Sequence, residues 1–190
     1  LPTSFPSRRV WLHVTATDGA GTVVYESGAW QANGSISGND NDADAARFEP
    51  HYLEITAPDQ VQVYEDIMVD YAGEVTTGLL SGARYVKDNR LLPAGFDKDE
   101  APWEVAVHGH AAGDGDFAAG GDRVRYAVDV AATAAPLTVQ ASLWYQPIGY
   151  RWAQNLAGLA TAESEQFGGF YESMASASAT RVAQAEAVVR

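Results

Sequence analysis

The side chains best suited to chemistry in this sequence are carboxylates crowded into one polar loop. Residues 39–44 read Asn-Asp-Asn-Asp-Ala-Asp, which places acidic groups at Asp40, Asp42 and Asp44. Oxygen ligands at alternating positions are typical of sites for a hard cation such as Ca²⁺, although the glycine and glutamate of an EF-hand loop are missing. We therefore predict a calcium site at these three residues, with a solvated acidic loop as the alternative. The oxygen-rich residues 113–122 raise the same two possibilities.

The four histidines are the groups suited to general acid–base work or to borderline metals at neutral pH. His108 and His110 could offer two ligands to one metal, although a pair at a strand end is more often structural or exposed. The sequence contains no Gly-x-Ser-x-Gly elbow, no phosphate-binding loop and no His-Glu-x-x-His helix. Among 25 acidic residues, a catalytic carboxylate pair cannot be chosen from spacing alone. We therefore predict that the chain is not an enzyme; a hydrolase would need a concave site of converging carboxylates or histidines.

Composition narrows the classes of partner and cofactor. The 190 residues, 46% of them hydrophobic, are enough to bury the core of one domain. The net charge of -13 repels phosphate backbones and anionic membrane surfaces, so we expect no nucleic-acid partner, and no apolar run is long enough to span a bilayer. The absence of cysteine excludes disulfides, thiolate metal sites and covalent haem attachment within these residues. Because the sequence starts at Leu1 rather than Met and shows no signal-peptide pattern, we expect a fragment or a processed product.

Alternation of apolar and polar side chains predicts a mainly antiparallel β fold. A hairpin is expected where two alternating runs flank an Asp-Gly-Ala-Gly turn at residues 18–21. Residues 65–80 are compatible with two more strands around a turn. The clearest predicted strands are residues 9–17, 22–30, 103–109, 123–130 and 137–145. Many short strands of this kind favour an immunoglobulin-like β-sandwich.

The pattern changes to a helical period beyond Gly149. Trp152, Leu156 and Leu159 are spaced as on one face of a helix, in a tail rich in alanine and glutamate. We therefore predict a β-sandwich domain at residues 1–148 and a C-terminal helical extension at residues 149–190.

Residues 85–98 form a segment that is too apolar for a free loop and too interrupted by Pro93 and Gly95 for regular structure. Lys87, Asp88 and Arg90 could anchor it by pairing with each other and with the flanking carboxylates Asp97 and Asp99. Solvated surface charge is the alternative.

Four stretches of the sequence together resemble a known family. They are the Leu-Pro-Thr-Ser-Phe-Pro-Ser-Arg-Arg-Val-Trp-Leu-His-Val start at residues 1–14, Glu-Pro-His-Tyr at 49–52, Gln-Val-Gln-Val-Tyr-Glu at 60–65 and Lys-Asp-Asn-Arg-Leu-Leu-Pro-Ala-Gly-Phe-Asp-Lys at 87–98. In combination, up to about residue 152, they resemble the β-rich C-terminal region of bacterial multihaem c-type cytochromes. In that family a Gly-His-Lys triplet typically precedes the Leu-Pro-Thr run, and Cys-x-x-Cys-His motifs lie upstream. Neither is present here, so the chain would be the haem-free portion of a longer cytochrome or a relative without haems.

The resemblance implies an exported protein, periplasmic or extracellular. The chain would pack against haem domains of the same polypeptide or assembly, shield haem edges and present an acidic face to a redox protein. Haem c would belong to that assembly. A free-standing module that binds carbohydrate or peptide is the alternative, with Ca²⁺ in the acidic loops. Its aromatic platform would come from Trp11, Trp30, Trp103, Trp144 and Trp152.

Among the histidines, His51 is the best candidate to contact haem iron or a metal in such an assembly. Pro50 fixes the backbone before it, and a neutral imidazole is a usual axial ligand of haem. The alternative is a hydrogen bond to a nearby carboxylate such as Glu49 or Glu54.

Overall fold

The computed structural model describes residues 5–130 and 136–189, and strands outnumber helices within them. The strands are β1 (Arg9–Thr17), β2 (Val23–Ser27), β3 (Glu54–Ile55), β4 (Val63–Tyr64), β5 (Asp66–Val69), β6 (Val75–Thr76), β7 (Arg84–Asp88), β8 (Arg125–Tyr126), β9 (Leu137–Gln146) and β10 (Thr180–Val189). The α-helices are α1 (Asp40–Ala43), α2 (Tyr150–Ala157) and α3 (Ala162–Met174). None of the helices in these two ranges is both long and apolar enough to cross a bilayer.

The main sheet has five strands and is built around β1. Its order is β10-β9-β1-β2, and β4 also pairs with β1; all of these pairings are antiparallel. The predicted hairpin of β1 and β2 and the predicted strand β9 are thus confirmed. Trp11, a candidate for an aromatic platform, is fully buried, because Val61, Val63 and Ile36 cover its face of β1. The start of β1 is therefore covered on both faces, and the main sheet packs against loop residues on each side.

Two smaller sheets complete the β structure. β5 lies between β6 and β7 in antiparallel pairs, which confirms the two strands expected around the turn at residues 70–73. β3 and β8 form a short parallel pair. The predicted mainly β fold with antiparallel sheets is therefore present, and none of the described sheets closes on itself. The strands expected at residues 103–109 and 123–130 shrink to a 3-10 turn at Trp103–Val105 and to the two residues of β8.

The C-terminal part combines helix and strand. α2 and α3 confirm the helical period, and α3 begins at a capping box in which Thr161 and Ser164 each bond the other's backbone N–H. Residues 180–189 were predicted to belong to the helical extension, but they form the strand β10. This strand pairs with Leu137–Tyr145 of β9. Ala183, Ala185 and Ala187 alternate with larger side chains, which is the pattern of a strand. The high helix propensity of alanine makes this pattern hard to recognise.

Candidate functional site

A buried polar cluster surrounds His51, whose side chain is 0% exposed. His51 lies between α1 and β3, and its hydrogen-bonding partners come from other parts of the chain. Gln62 immediately precedes β4, and Asn89 immediately follows β7. Asp114 follows the 3-10 turn at Gly109–Gly113, and Asp122 lies before β8. We call these five residues the His51 cluster.

Two side-chain amides hold the Nδ1 atom of His51. The Nε2 atom of Gln62 lies 2.9 Å from it and the Nδ2 atom of Asn89 lies 3.0 Å from it. The orientation of both amides is fixed, since the oxygen of Gln62 accepts from the Tyr52 N–H and the oxygen of Asn89 accepts from the Glu65 N–H. A backbone N–H can only donate, so both amide nitrogens face the ring. Nδ1 is therefore the acceptor, and the ring proton sits on Nε2.

The Nε2 atom of His51 faces two carboxylates. It donates to Asp114 Oδ2 at 3.0 Å, and Asp122 Oδ1 lies 3.9 Å away. Burial alone would raise the pKa of Asp114, but hydrogen bonds from the Asp116 backbone and from His51 outweigh it and hold that pKa below its usual range. The other oxygen of Asp122 accepts from the Tyr64 hydroxyl at 2.6 Å. Burial and this carboxylate together raise the pKa of Tyr64.

Aromatic rings close the cluster on its apolar side. Phe117 meets the His51 ring edge-on with centroids 5.1 Å apart, and it stacks on Tyr64 with centroids 6.5 Å apart. Phe117 is fully buried, and the Lys98 ammonium lies over its ring, 6.0 Å from the centroid. The rings keep water from the hydrogen bonds of His51, which strengthens them.

The cluster also has the composition of a metal site. In the described part of the chain, His51, Asp114 and Asp122 are the group of three ligand residues whose donor atoms lie within 4.8 Å of one another. Ligation through Nε2 would move the ring proton to Nδ1, where the two amide N–H groups already point. The hydrogen-bonded geometry therefore suits His51 as a donor to carboxylates, and its role as a haem or metal ligand stays a prediction that requires one of these bonds to be given up. The alternative partners expected for it, Glu49 and Glu54, are replaced by Asp114.

The three residues of the predicted calcium site have separate environments. Asp42 is buried and its carboxylate binds the Arg9 guanidinium, with contacts of 2.7 and 3.0 Å. Asp40 pairs with Arg47 at 2.7 Å, and Asp44 is exposed. Within the described residues, the carboxylate oxygens of Asp40, Asp42 and Asp44 do not come together as a group that could ligate one ion. A cation bound there would have to compete with Arg9, so calcium at this loop stays a prediction.

Ion pairs anchor the segment at residues 85–98. The predicted pairing of Asp88 with Arg90 is present, whereas the partner of Lys87 is Glu65 and not Asp97 or Asp99. Lys87 is buried and its ammonium lies 3.0 Å from Glu65. Arg90 forms a two-pronged contact with Asp88 and lies 3.1 Å from Asp66. Asp66 is on β5, Asp88 is on β7 and Glu65 immediately precedes β5, so the segment is tied to the small antiparallel sheet.

The tryptophans do not form an exposed row. Trp144 stacks on Trp11 with centroids 6.2 Å apart and contacts Trp30 at 5.6 Å. Trp152 is half-buried, and Trp103 is 69% exposed. Among the described tryptophans, an aromatic platform would therefore depend on Trp103.

The other histidines lie apart from the His51 cluster. His13 contacts Glu26 at 2.8 Å on the main sheet. His108 makes a backbone bridge to Asp88, and His110 is exposed in the 3-10 turn after it. The functional residues that sequence reasoning missed are Gln62 and Asn89, and their one signal is that both fall within the stretches that carry the family resemblance.

Comparisons with models of protein families, with curated proteins and with solved structures gave no match to this chain. The features of the chain that bear on its function are therefore its own residues and the resemblance of the four stretches.

Proposed function

We propose that this chain is the haem-free β-rich portion of an exported multihaem c-type cytochrome, where it packs against haem domains and supports electron transfer or the docking of a redox partner. An immunoglobulin-like β-sandwich arrangement of its antiparallel strands is part of this proposal. The observation that carries it is that three of the resemblance stretches meet in one buried polar network, in which His51 and Asn89 are 38 residues apart in sequence.

Each stretch supplies a buried member of that network. Glu-Pro-His-Tyr supplies His51, Gln-Val-Gln-Val-Tyr-Glu supplies Gln62, and the stretch at residues 87–98 begins two residues before Asn89. All three side chains are buried. The residues that carry the resemblance are therefore residues that fix the fold, which supports a shared architecture and a scaffolding role.

The charge of the chain supports a docking role. A net charge of -13 gives a negative field that attracts a positively charged redox protein and speeds its association at low salt. We expect the rate of reduction by such a partner to fall as ionic strength rises, because exposed charges are screened over about 10 Å at 0.1 M salt.

The direct test is to isolate the native polypeptide that contains these residues from periplasmic and extracellular fractions and to measure its haem content. We expect several covalent haems in the polypeptide or in its assembly, and no Soret band after acid–acetone extraction from the 190-residue chain alone. A native protein without haem that co-purifies with no multihaem cytochrome would refute the proposal.

The ligand role of His51 is tested in the same assembly. Replacing His51 with alanine should alter the low-spin haem spectrum or a reduction potential if the imidazole reaches an iron. An Asn89→Ala variant is the matched control, because it disturbs the same cluster without removing a ligand. Unchanged spectra and potentials in His51→Ala would assign the residue to the scaffold alone.

A carbohydrate- or peptide-binding module remains the second candidate because Trp103 is largely exposed next to Val105, which is also exposed. Binding of oligosaccharides or peptides that is lost in Trp103→Ala and kept in Trp152→Ala would favour it.

A further inference from the structure

β10 is an edge of the main sheet that nothing covers in the described residues. It pairs with β9 on one side, and β9 lies between it and β1. All ten of its residues are exposed. Ala183, Ala185 and Ala187 lie opposite Leu143, Ala141 and Val139, so they continue the apolar row of the sheet beyond its core.

This edge has few of the features that usually protect against pairing. It contains no proline, glycine or lysine, and its one register shift lies near its start, between Arg181 and Ala183. Ordering ten residues carries an entropic penalty of about 1 kcal/mol or more per residue, and a strand exposed on both faces recovers little of it through burial. A partner on the open edge would complete its hydrogen bonds.

We propose that β10 pairs antiparallel with β10 of a second copy of this chain, about a twofold axis at Ala185, and joins the two main sheets into one. Antiparallel pairing of one edge with itself matches every outward N–H with an outward carbonyl. The strand carries one positive residue, Arg181, and one negative residue, Glu186, so it has no net charge in a chain of -13. Pairing along this strand therefore adds no net like-charge repulsion of its own to that of the two acidic chains.

The charges also distinguish two neighbouring registers. A twofold axis perpendicular to the sheet makes the same face of both copies continuous across the new pairing. Even-numbered residues of one copy therefore lie opposite even-numbered residues of the other. An axis at Glu186 would place two glutamates opposite each other, which is destabilising. An axis at Ala185 places Gln184 opposite Glu186 of the second copy, where the amide can donate to the carboxylate, and it places Ala185 opposite itself.

The first test changes charge at one exposed position. In sedimentation equilibrium of the 190-residue chain, Gln184→Glu should weaken dimerisation by roughly tenfold, because it creates two like-charge pairs across the axis. Gln184→Lys should strengthen it by a similar factor. Gln154→Glu is the control, because it adds the same charge at an exposed position of α2. It should leave the dimerisation constant unchanged apart from the small effect of the added net charge.

The second test uses the absence of native cysteine. Under mild oxidation, Ala185→Cys should give a covalent dimer on a non-reducing gel, whereas Gln154→Cys should not. A chain that stays monomeric at all concentrations overturns the proposal, as does a dimer that ignores the charge at residue 184 and does not cross-link at residue 185. Either outcome leaves the haem test of the proposed function untouched, because that test does not depend on the dimer.

Discussion

Asp66 gives the sharpest test of the electrostatics of this fold. It lies in β5 with its side chain 1% exposed, and neither carboxylate oxygen receives a hydrogen bond from the described residues. Burial raises the pKa of Asp66 to about 8, and the attraction of Arg90 at 3.1 Å does not offset it. Asp66 is therefore a carboxylic acid, not a carboxylate, over most of the neutral range. We propose Asp66→Asn as the perturbation, since asparagine has the same shape and no proton to lose.

The sign of the effect follows from where the proton is bound. Between the ordinary pKa of 3.8 and about 8, the folded chain keeps the proton and the unfolded chain releases it. The contribution to stability is complete below the ordinary pKa and is lost as pH rises toward 8. The slope is about 1.4 kcal/mol per pH unit, which amounts to at most on the order of 5 kcal/mol over the window.

Urea unfolding at pH steps from 5 to 8 measures this slope. The free energy of unfolding of the parent chain should fall with pH relative to that of Asp66→Asn, and their difference should change by about 1.4 kcal/mol per pH unit. Asp99→Asn, at an exposed carboxylate, is the control and should run parallel to the parent. If the difference between parent and Asp66→Asn is the same at every pH, Asp66 does not hold its proton and the reasoning is wrong.

Three further predictions concern the buried polar residues. Asn89→Ala removes the amide that holds His51 and should lower the free energy of unfolding by about 3 kcal/mol, whereas Asn33→Ala in an exposed loop should lower it by less than about 1 kcal/mol. Lys87→Met leaves the Glu65 carboxylate buried without its cation and should lower the free energy of unfolding by about 3–5 kcal/mol; unchanged stability would show that the pair contributes nothing. Nitrogen NMR of His51 near neutral pH should find the ring proton on Nε2, and a signal from an Nδ1–H tautomer would contradict the assigned amide orientations.

Strands with a strong alternation of large apolar side chains could be predicted from the sequence. β1 and β9 have such a pattern, and a turn marks the hairpin between β1 and β2. β10 could not be recognised in the same way, because alanine alternation is weak as a hydrophobic signal and alanine favours helices in isolation. Its strand form depends on pairing with β9 (Leu137–Gln146), which ends well before β10 begins at Thr180. Local propensity does not reflect a contact between segments so far apart in sequence.

His51 could be predicted from the sequence, but the partners that surround it could not, again because they are distant in sequence. His51 stood out because of its neighbour Pro50 and its ionisable ring, but its partners are 11, 38 and 63 residues away in sequence. Side-chain amides such as those of Gln62 and Asn89 carry no signature of their own in a sequence, since they are usually found on surfaces. Only the fold shows that they are buried and that they set the tautomer of the ring.

The pairing of β1 with β9 has a consequence for how the chain is made. Arg9 lies opposite Gln146, 137 residues later in the chain. At ordinary synthesis rates this interval lasts on the order of 10 s, during which β1 can form its hairpin with β2 but keeps its other edge open. Trp11 then lacks the ring of Trp144 that stacks on it in the finished fold. A nascent chain that pauses before residue 137 therefore exposes an apolar strand edge to other nascent chains, and binding of a chaperone to this N-terminal hairpin would protect it until β9 arrives.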